Sequence, residues 1–147
     1  MSFMNSSRNS VLIVEAKFYP EISIDLADGA ISVLEAKGFS FERVEVPGIF
    51  EIPQATKMFW DSGNFCGSIS LGCVIRGETD HYDHICREVS RKLMDLALEL
   101  KIPYGFGLIT CENIKQAKVR ADKKQKNVGG RAAEACATMI RLETESH

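Results

Sequence analysis

Short apolar runs alternate with longer amphipathic stretches from one end of this 147-residue chain to the other. Apolar runs rich in β-branched residues predict four strands, at residues 11–14, 41–46, 68–75 and 105–110. Apolar residues spaced by three or four predict five helices, at about residues 20–37, 53–62, 85–100, 112–120 and 132–142. This order implies right-handed crossovers and a parallel sheet covered on both faces. We therefore expect an α/β fold, a flavodoxin-like three-layer αβα sandwich with a four-stranded parallel sheet.

Two of the predicted helices carry apolar residues whose orientation can be predicted from their spacing. In the helix that starts near Pro53, the residues expected to face the sheet are Ala55, Met58, Phe59 and Trp60. In the last helix, Cys136, Met139 and Ile140 are expected to share one face.

The length of the chain fits one domain, so we expect residues 11–147 to form a single domain. Residues 1–10 are polar and lack the apolar block of a signal peptide, which predicts a disordered lead and a cytoplasmic location. The uncharged stretch at 62–75 is shorter than the roughly 20 residues of a membrane-spanning helix. A net charge of -2 argues against general nucleic-acid binding, because affinity for nucleic acid comes from many Lys and Arg side chains that neutralise phosphates.

The five cysteines include no CxxC pair. An odd number without paired spacing is typical of reduced thiols rather than of a disulfide framework or a zinc knuckle. We expect most of them to be small core residues.

Unusual residues follow three of the predicted strands. Phe18 and Tyr19 follow the first strand, and the segments 46–53 and 76–84 follow the next two. Ligands of parallel sheets bind beyond the carboxyl ends of the strands, so these loops are the expected site. The chain has neither GxGxxG after the first strand nor GxxxxGK[ST], which argues against dinucleotide and triphosphate enzymes. The loop at 15–20 also lacks the Gly- and hydroxyl-rich character of a flavodoxin-type phosphate loop.

Two clusters of polar residues each allow two interpretations. Potential metal ligands are concentrated in one segment, at Asp80, His81, Asp83, His84 and Cys86. Helical spacing separates them and no third ligand is obvious, so the histidines can also be ordinary residues of a helix start. The basic run at 123–126 is either a solvated helix end or half of an anion site.

Three separated motifs now point to one family. They read VPGIFEIP at 46–53, LGCVIRGETDHYD at 71–83 and GFGLITCENIKQA at 105–117. In this order they resemble 6,7-dimethyl-8-ribityllumazine synthase, and the resemblance covers nearly the whole chain. It implies a transferase that condenses 5-amino-6-(D-ribitylamino)uracil with 3,4-dihydroxy-2-butanone 4-phosphate in the penultimate step of riboflavin biosynthesis. Phosphate and water are released, and neither a metal nor an organic cofactor is used.

The same resemblance implies a pocket for the ribitylaminouracil. Phe18 would be an aromatic platform for the pyrimidine, since a flat heterocycle gains stacking energy on such a ring. The remaining residues of this pocket would be Ile49, Phe50, Glu51, Cys73, Val74, Ile75 and Phe106. Without the resemblance, Phe18 would be a loop residue folded onto the core. Cys73 is interpreted as a packed thiol rather than as a nucleophile.

For the phosphate of the second substrate, the resemblance implies backbone amides near Glu78 and Thr79, with Arg120 as the countercharge. His81 would be the catalytic, proton-transferring residue, because imidazole gives and accepts protons near neutrality.

The family builds its active sites between subunits of a homo-oligomer, and Phe106 would come from the neighbouring subunit. Relatives that assemble into an icosahedral shell usually carry a Gly-rich turn between the last two helices. Here the corresponding stretch, residues 120–130, has no glycine before Gly129 and carries extra charge, so we expect an isolated cyclic pentamer.

Three other functions stay open at this point. A non-catalytic flavin or lumazine carrier would lose the phosphate site or the histidine, whereas Thr79, His81 and Arg120 are all present. A metal-dependent lyase or hydrolase would use the cluster at 80–86, and a purely structural shell component would need no polar pocket.

Overall fold

In a computed structural model, residues 9–77 and 82–147 are described, Tyr82 by its backbone alone. These residues form four strands: β1 (Ser10–Ala16), β2 (Ser40–Val46), β3 (Gly67–Ile75) and β4 (Tyr104–Cys111). The same residues form five α-helices: α1 (Pro20–Ala36), α2 (Ile52–Ser62), α3 (Tyr82–Leu100), α4 (Ile114–Ala121) and α5 (Val128–Glu145). A 3₁₀ turn, Ile49–Glu51, leads into α2.

The strands pair in the order β2-β1-β3-β4, and every pairing is parallel. Alternate residues of β1 contribute to two separate cores: Val11 and Ile13 pack with α1, α4 and α5, whereas Leu12 and Val14 pack with α2 and α3. The sheet is therefore the middle layer of three, which confirms the predicted α/β sandwich.

Local signals explain where the helices begin. Pro20 and Pro53 occupy the first turns of α1 and α2, where a missing N–H costs nothing. The Asn113 and Asn127 side chains cap α4 and α5 by accepting hydrogen bonds from the Gln116 and Gly130 amides. Gly38, with φ +83°, takes the left-handed conformation after α1, as expected for a residue that ends a helix.

Two predicted helix faces differ from the structure. In α2, Ile52, Ala55 and Thr56 are buried, but Met58 is 58% exposed and Phe59 is 38% exposed. Met58 lies about 120° around the helix from Ile52, so it cannot face the same core. In α5, Cys136 is buried whereas Met139 is exposed. The expectation that Met58 and Phe59 face the sheet was wrong, and Met139 does not share the buried position of Cys136.

Trp60 and Phe65 lie at the opposite end of the sheet from the strand-to-helix loops. Their rings stack with centroids 6.5 Å apart, at the end of α2 and just before β3. The Cys66 amide then donates to the Ser10 carbonyl, which joins this corner to the start of β1.

All five cysteines are free thiols, as predicted; Cys73, Cys111 and Cys136 are buried and the other two are half-buried. Residues 1–8 of the predicted lead lie outside the described residues. Asn9 bonds to the Gly38 carbonyl through its side chain, and Ser10 begins β1. In the described ranges, no helix combines the length and the apolar character needed to cross a membrane.

Candidate active site

The carboxyl ends of the four strands form one edge of the sheet, because all of them run in the same direction. Backbone bonds continue across this edge: the Lys17 amide donates to the Val46 carbonyl at 2.9 Å, and the Arg76 amide donates to the Cys111 carbonyl at 2.7 Å. From β1 the chain turns to β2 on one side, whereas β3 lies on the other side. Ligands of open parallel sheets bind at this kind of switch point.

Phe18 lies in the loop between β1 and α1. Its side chain is 67% exposed and meets the edge of Tyr19, with ring centroids 4.9 Å apart. Tyr19 packs against the core and accepts, through its carbonyl, hydrogen bonds from the Ile22 and Ser23 amides. The interpretation of Phe18 as a residue folded onto the core was wrong, since its ring is largely open to a ligand.

The segment after β2 is held by a local hydrogen bond and by close packing. The Gly48 amide donates to Glu51 Oε1 at 3.0 Å. Ile49 is buried against Gly72 of β3, where an added Cβ would lie 2.8 Å from Ile49 Cγ2. Glycine at position 72 therefore lets the 3₁₀ turn lie directly on the sheet.

A cavity of about 320 Å³ brings together three of the residues expected to line the pyrimidine pocket, Ile49, Val74 and Phe106. The other lining residues come from α3 and β4: Cys86, Arg87, Ser90, Leu108, Ile109 and Thr110. Phe106 is 44% exposed and shares this cavity with residues of its own chain.

Cys73 and Ile75 point to the other face of the sheet, because side chains alternate along β3. Only their backbone can contribute to the cavity that Val74 lines. Burial is the main cause that raises the pKa of Cys73 to about 12, while the Arg120 charge partly opposes it. Cys73 is thus a packed, neutral thiol, as interpreted from the sequence.

Two arginines, Arg120 and Arg76, contact the end of β4 and the residue that follows it. Arg120 of α4 donates through Nη1 to the Thr110 carbonyl at 2.7 Å and lies 3.8 Å from Cys111 Sγ. Arg76 pairs with Glu112 at 3.1 Å and with Asp83 at 3.4 Å. Arg76 lies inside the second motif, but the motif alone gave no role for it.

Three residues of the predicted site, Glu78, Thr79 and His81, lie outside the described residues. The structure therefore places Arg120 of the predicted phosphate site but not its partners. Asp80, part of the alternative metal cluster, also lies outside. Within the described residues, no group of three or more His, Cys, Asp or Glu side chains is arranged to hold a metal ion.

Phe50 lies apart from the cavity of Ile49. It is 65% exposed and lines a groove of about 480 Å³ between α2 and α3. Met58, Val89 and Leu96 form much of the apolar lining, and Lys57 and Lys92 also line the groove. Within one chain, the predicted pocket residues are thus divided between a loop, a cavity and a neighbouring groove.

One buried charged residue, Glu15, was not predicted from the sequence. Glu15 was assigned to the first loop, but β1 continues to Ala16 and buries it. It accepts hydrogen bonds from Arg43 Nε at 2.6 Å and Arg43 Nη2 at 2.9 Å. Because Leu12 and Val14 on the opposite face are buried as well, the alternation of side chains along β1 does not indicate where the buried run ends.

Sequence comparisons identify similar proteins. A family model described as 6,7-dimethyl-8-ribityllumazine synthase matches residues 8–144. The protein of that name from Sphingopyxis alaskensis is 45% identical over 92% of this chain and 95% of its own length. The one from Bartonella bacilliformis is 45% identical over 90% of this chain and 89% of its own length. The one from Agrobacterium fabrum is 43% identical over 93% of this chain and 96% of its own length.

Proposed function

Because the chain belongs to the 6,7-dimethyl-8-ribityllumazine synthase family, we propose that it condenses 5-amino-6-(D-ribitylamino)uracil with 3,4-dihydroxy-2-butanone 4-phosphate. The products are 6,7-dimethyl-8-ribityllumazine, phosphate and water. This is a transferase reaction of riboflavin biosynthesis. The family match over residues 8–144 is the observation that carries the proposal.

The ribitylaminouracil is proposed to bind at the carboxyl edge, with its ring on Phe18. The high exposure of Phe18 supports this role, because a ring that packs inside the core could not stack on a ligand. Ile49 and Val74 would supply apolar contacts from the cavity that they share, and Phe106 would supply one from the neighbouring subunit. Phe50, which lines the neighbouring groove, and Glu51 are both exposed, and Cys73 with Ile75 would contribute backbone groups only.

The butanone phosphate is proposed to bind at the Glu78 and Thr79 amides and at Arg120. The position of Arg120 supports this role: one guanidinium nitrogen donates to the Thr110 carbonyl, which fixes the side chain at the strand ends. A guanidinium has five N–H donors in a planar fork, so the donors that do not bind the Thr110 carbonyl can bind a phosphate. His81 is proposed to move protons during imine formation, phosphate elimination and ring closure.

The active form is proposed to be a homo-oligomer with sites between subunits, and a cyclic pentamer rather than an icosahedral shell. Exposed apolar side chains at Phe50, Met58 and Phe106 support contact with a second copy. Phe106 of one copy would then reach the site of its neighbour. Sedimentation of the pure protein tests this: a monomer with full activity, or a shell-sized particle, would contradict it.

The remaining features are proposed on the same basis. Residues 11–147 are proposed to act as one domain, and the two small molecules are its partners rather than nucleic acid. The five free thiols support a reducing compartment, the cytoplasm.

The reaction is tested by mixing the protein with both substrates and following the fluorescence of the product. His81→Ala should lower kcat by about 10²- to 10⁴-fold without abolishing turnover, the usual size of a proton-transfer contribution. Arg120→Ala should raise KM for the butanone phosphate. The matched control is Lys118→Ala, which removes an exposed cation from the same helix.

Two results would contradict the assignment. One is an unmodified protein that forms no product, and the other is a His81→Ala variant with unchanged turnover. Activity that disappears with a strong chelator would favour the metal-dependent alternative.

A further inference from the structure

A fully buried carboxylate lies behind the loop that carries Phe18. The Glu15 side chain is 1% exposed, in the central part of the sheet. Arg43 of β2 binds both of its oxygens, at 2.6 and 2.9 Å. This hydrogen bonding is the largest cause that raises the pKa of Arg43. A bidentate pair of this kind fixes geometry as well as charge.

Lys17 connects this pair to the loop. Its Nζ lies 3.7 Å from Glu15 Oε1 and 3.2 Å from Glu45 Oε2. Glu15 and Glu45 are opposite each other in the register of β1 and β2, so their charges repel. A cation between the two carboxylates offsets this repulsion, and the Lys17 ammonium contacts both of them.

The loop has little freedom beyond this contact. The Lys17 amide donates to the Val46 carbonyl at 2.9 Å, and Ser23 Oγ donates to the Ala16 carbonyl at 2.6 Å. Tyr19 is fixed at the other end by its bonds to the start of α1. Phe18 is the one residue between Lys17 and Tyr19, so the position of its backbone, from which the ring projects, follows from theirs.

We propose that Glu15, paired with Arg43 and through Lys17, is a positioning residue for the aromatic platform at Phe18. The inference rests on the proposed function, in which Phe18 stacks on the ribitylaminouracil. Glu15 touches neither substrate. It sets where the ring of Phe18 meets the pyrimidine, and hence the affinity for that substrate alone.

The test is the double variant Glu15→Met with Arg43→Leu, measured as the assembled protein. Removing both partners avoids an unpaired buried charge, which a single substitution would leave. We expect the KM for the ribitylaminouracil to rise by about 2- to 10-fold, the range that corresponds to losing part of an aromatic stacking interaction. We expect the KM for the butanone phosphate and the kcat each to change by less than about twofold.

Ser68→Ala is the matched control. Ser68 is buried and donates to the Leu12 carbonyl of β1 at 3.1 Å, but it lies at the amino end of the sheet. This variant should lose stability without changing either KM. A double variant that raises both KM values equally, or neither, would overturn the proposal.

Lys17→Met keeps the test decisive if the double variant fails to fold. It leaves the Glu15–Arg43 pair intact and breaks its link to the loop. The same selective rise in KM is expected, and an unchanged KM would overturn the proposal. Where all the variants fold, the triple variant with Lys17→Met should have the same KM for the ribitylaminouracil as the double variant, because the three substitutions interrupt one connection.

Phe18→Ala separates this inference from the proposed function. If unmodified protein makes no product, the proposed function fails. If Phe18→Ala raises the KM for the ribitylaminouracil while the Glu15 and Lys17 variants do not, the platform stands and the positioning role alone is wrong.

Discussion

On one face of the sheet, α5 lies so close to α1 and to β4 that a methyl group added at two glycines has no room, whereas on the other face α2 and α3 border a cavity and an apolar groove. A Cβ added at Gly129 would collide with the Leu26 carbonyl, and one added at Gly105 would collide with the Ala132 carbonyl. The α2 and α3 layer instead borders a cavity of about 320 Å³ and a groove of about 480 Å³. Phe50, Met58 and Phe106 are exposed there.

The two layers differ in whether their residues pack against the rest of the chain or stay exposed to other molecules. In the α1, α4 and α5 layer, helices and sheet meet backbone to backbone at glycines, as close packing requires. The α2 and α3 layer leaves apolar side chains without cover, and such surfaces commonly mark binding sites or contacts with other proteins. Changes at the closely packed glycines of the first layer should therefore affect folding, and changes at the exposed apolar residues of the second should affect assembly.

Gly129→Ala should have the largest effect on folding. The added methyl collides with backbone, which cannot move aside as a flexible side chain would, so we expect a loss of about 2 kcal/mol or more in the free energy of unfolding. Urea denaturation measures it. Met58→Ala, in the open layer, should stay within about 0.5 kcal/mol. Equal losses in both variants would remove the distinction between the layers.

Met58→Glu should weaken assembly. A carboxylate in the groove that Phe50 lines would be desolvated by a second copy, so we expect at least about a tenfold rise in the dissociation constant of the oligomer. Sedimentation over a concentration series measures it. The control is Ile24→Glu, an exposed apolar residue on α1 in the closed layer. If Ile24→Glu dissociates the oligomer and Met58→Glu does not, the contact lies on the other face.

A smaller effect should appear at alkaline pH. Burial raises the pKa of Cys73 and of Cys136 to about 12, and both thiols lie in the closed layer. The folded chain keeps protons that the unfolded chain releases above about pH 8.5, so stability is retained below that pH and falls as pH rises towards the folded value. The urea concentration at the midpoint of unfolding should fall as the pH rises through this range. In Cys136→Ala the fall should be less steep.

Much of the fold could be predicted from the sequence, because periodicity reports directly on burial. The run at 11–14 lies within β1, and Pro20 marks the start of α1. The orientation of Met58 could not be predicted, since an apolar residue has the same signature whether it faces the core or a partner. Glu15 was misplaced for a related reason: a charge normally ends an apolar run, and its partner Arg43 is distant in sequence.

The candidate site was predictable as a set of residues rather than as a geometry. Motifs located Ile49, Val74 and Phe106, and the structure brings these three into one cavity. They did not reveal that Cys73 and Ile75 face away, although strict alternation along β3 requires it. The separation of Phe50 from that cavity depends on how α2 and α3 pack, which local sequence does not encode.

The stacking of Trp60 on Phe65 has a practical consequence for these experiments. Trp60 is the single tryptophan of the chain, and it lies at the end of the sheet remote from the strand-to-helix loops. Its emission can therefore serve as an intrinsic probe of unfolding, and ligand occupancy at the opposite edge should leave that signal unchanged.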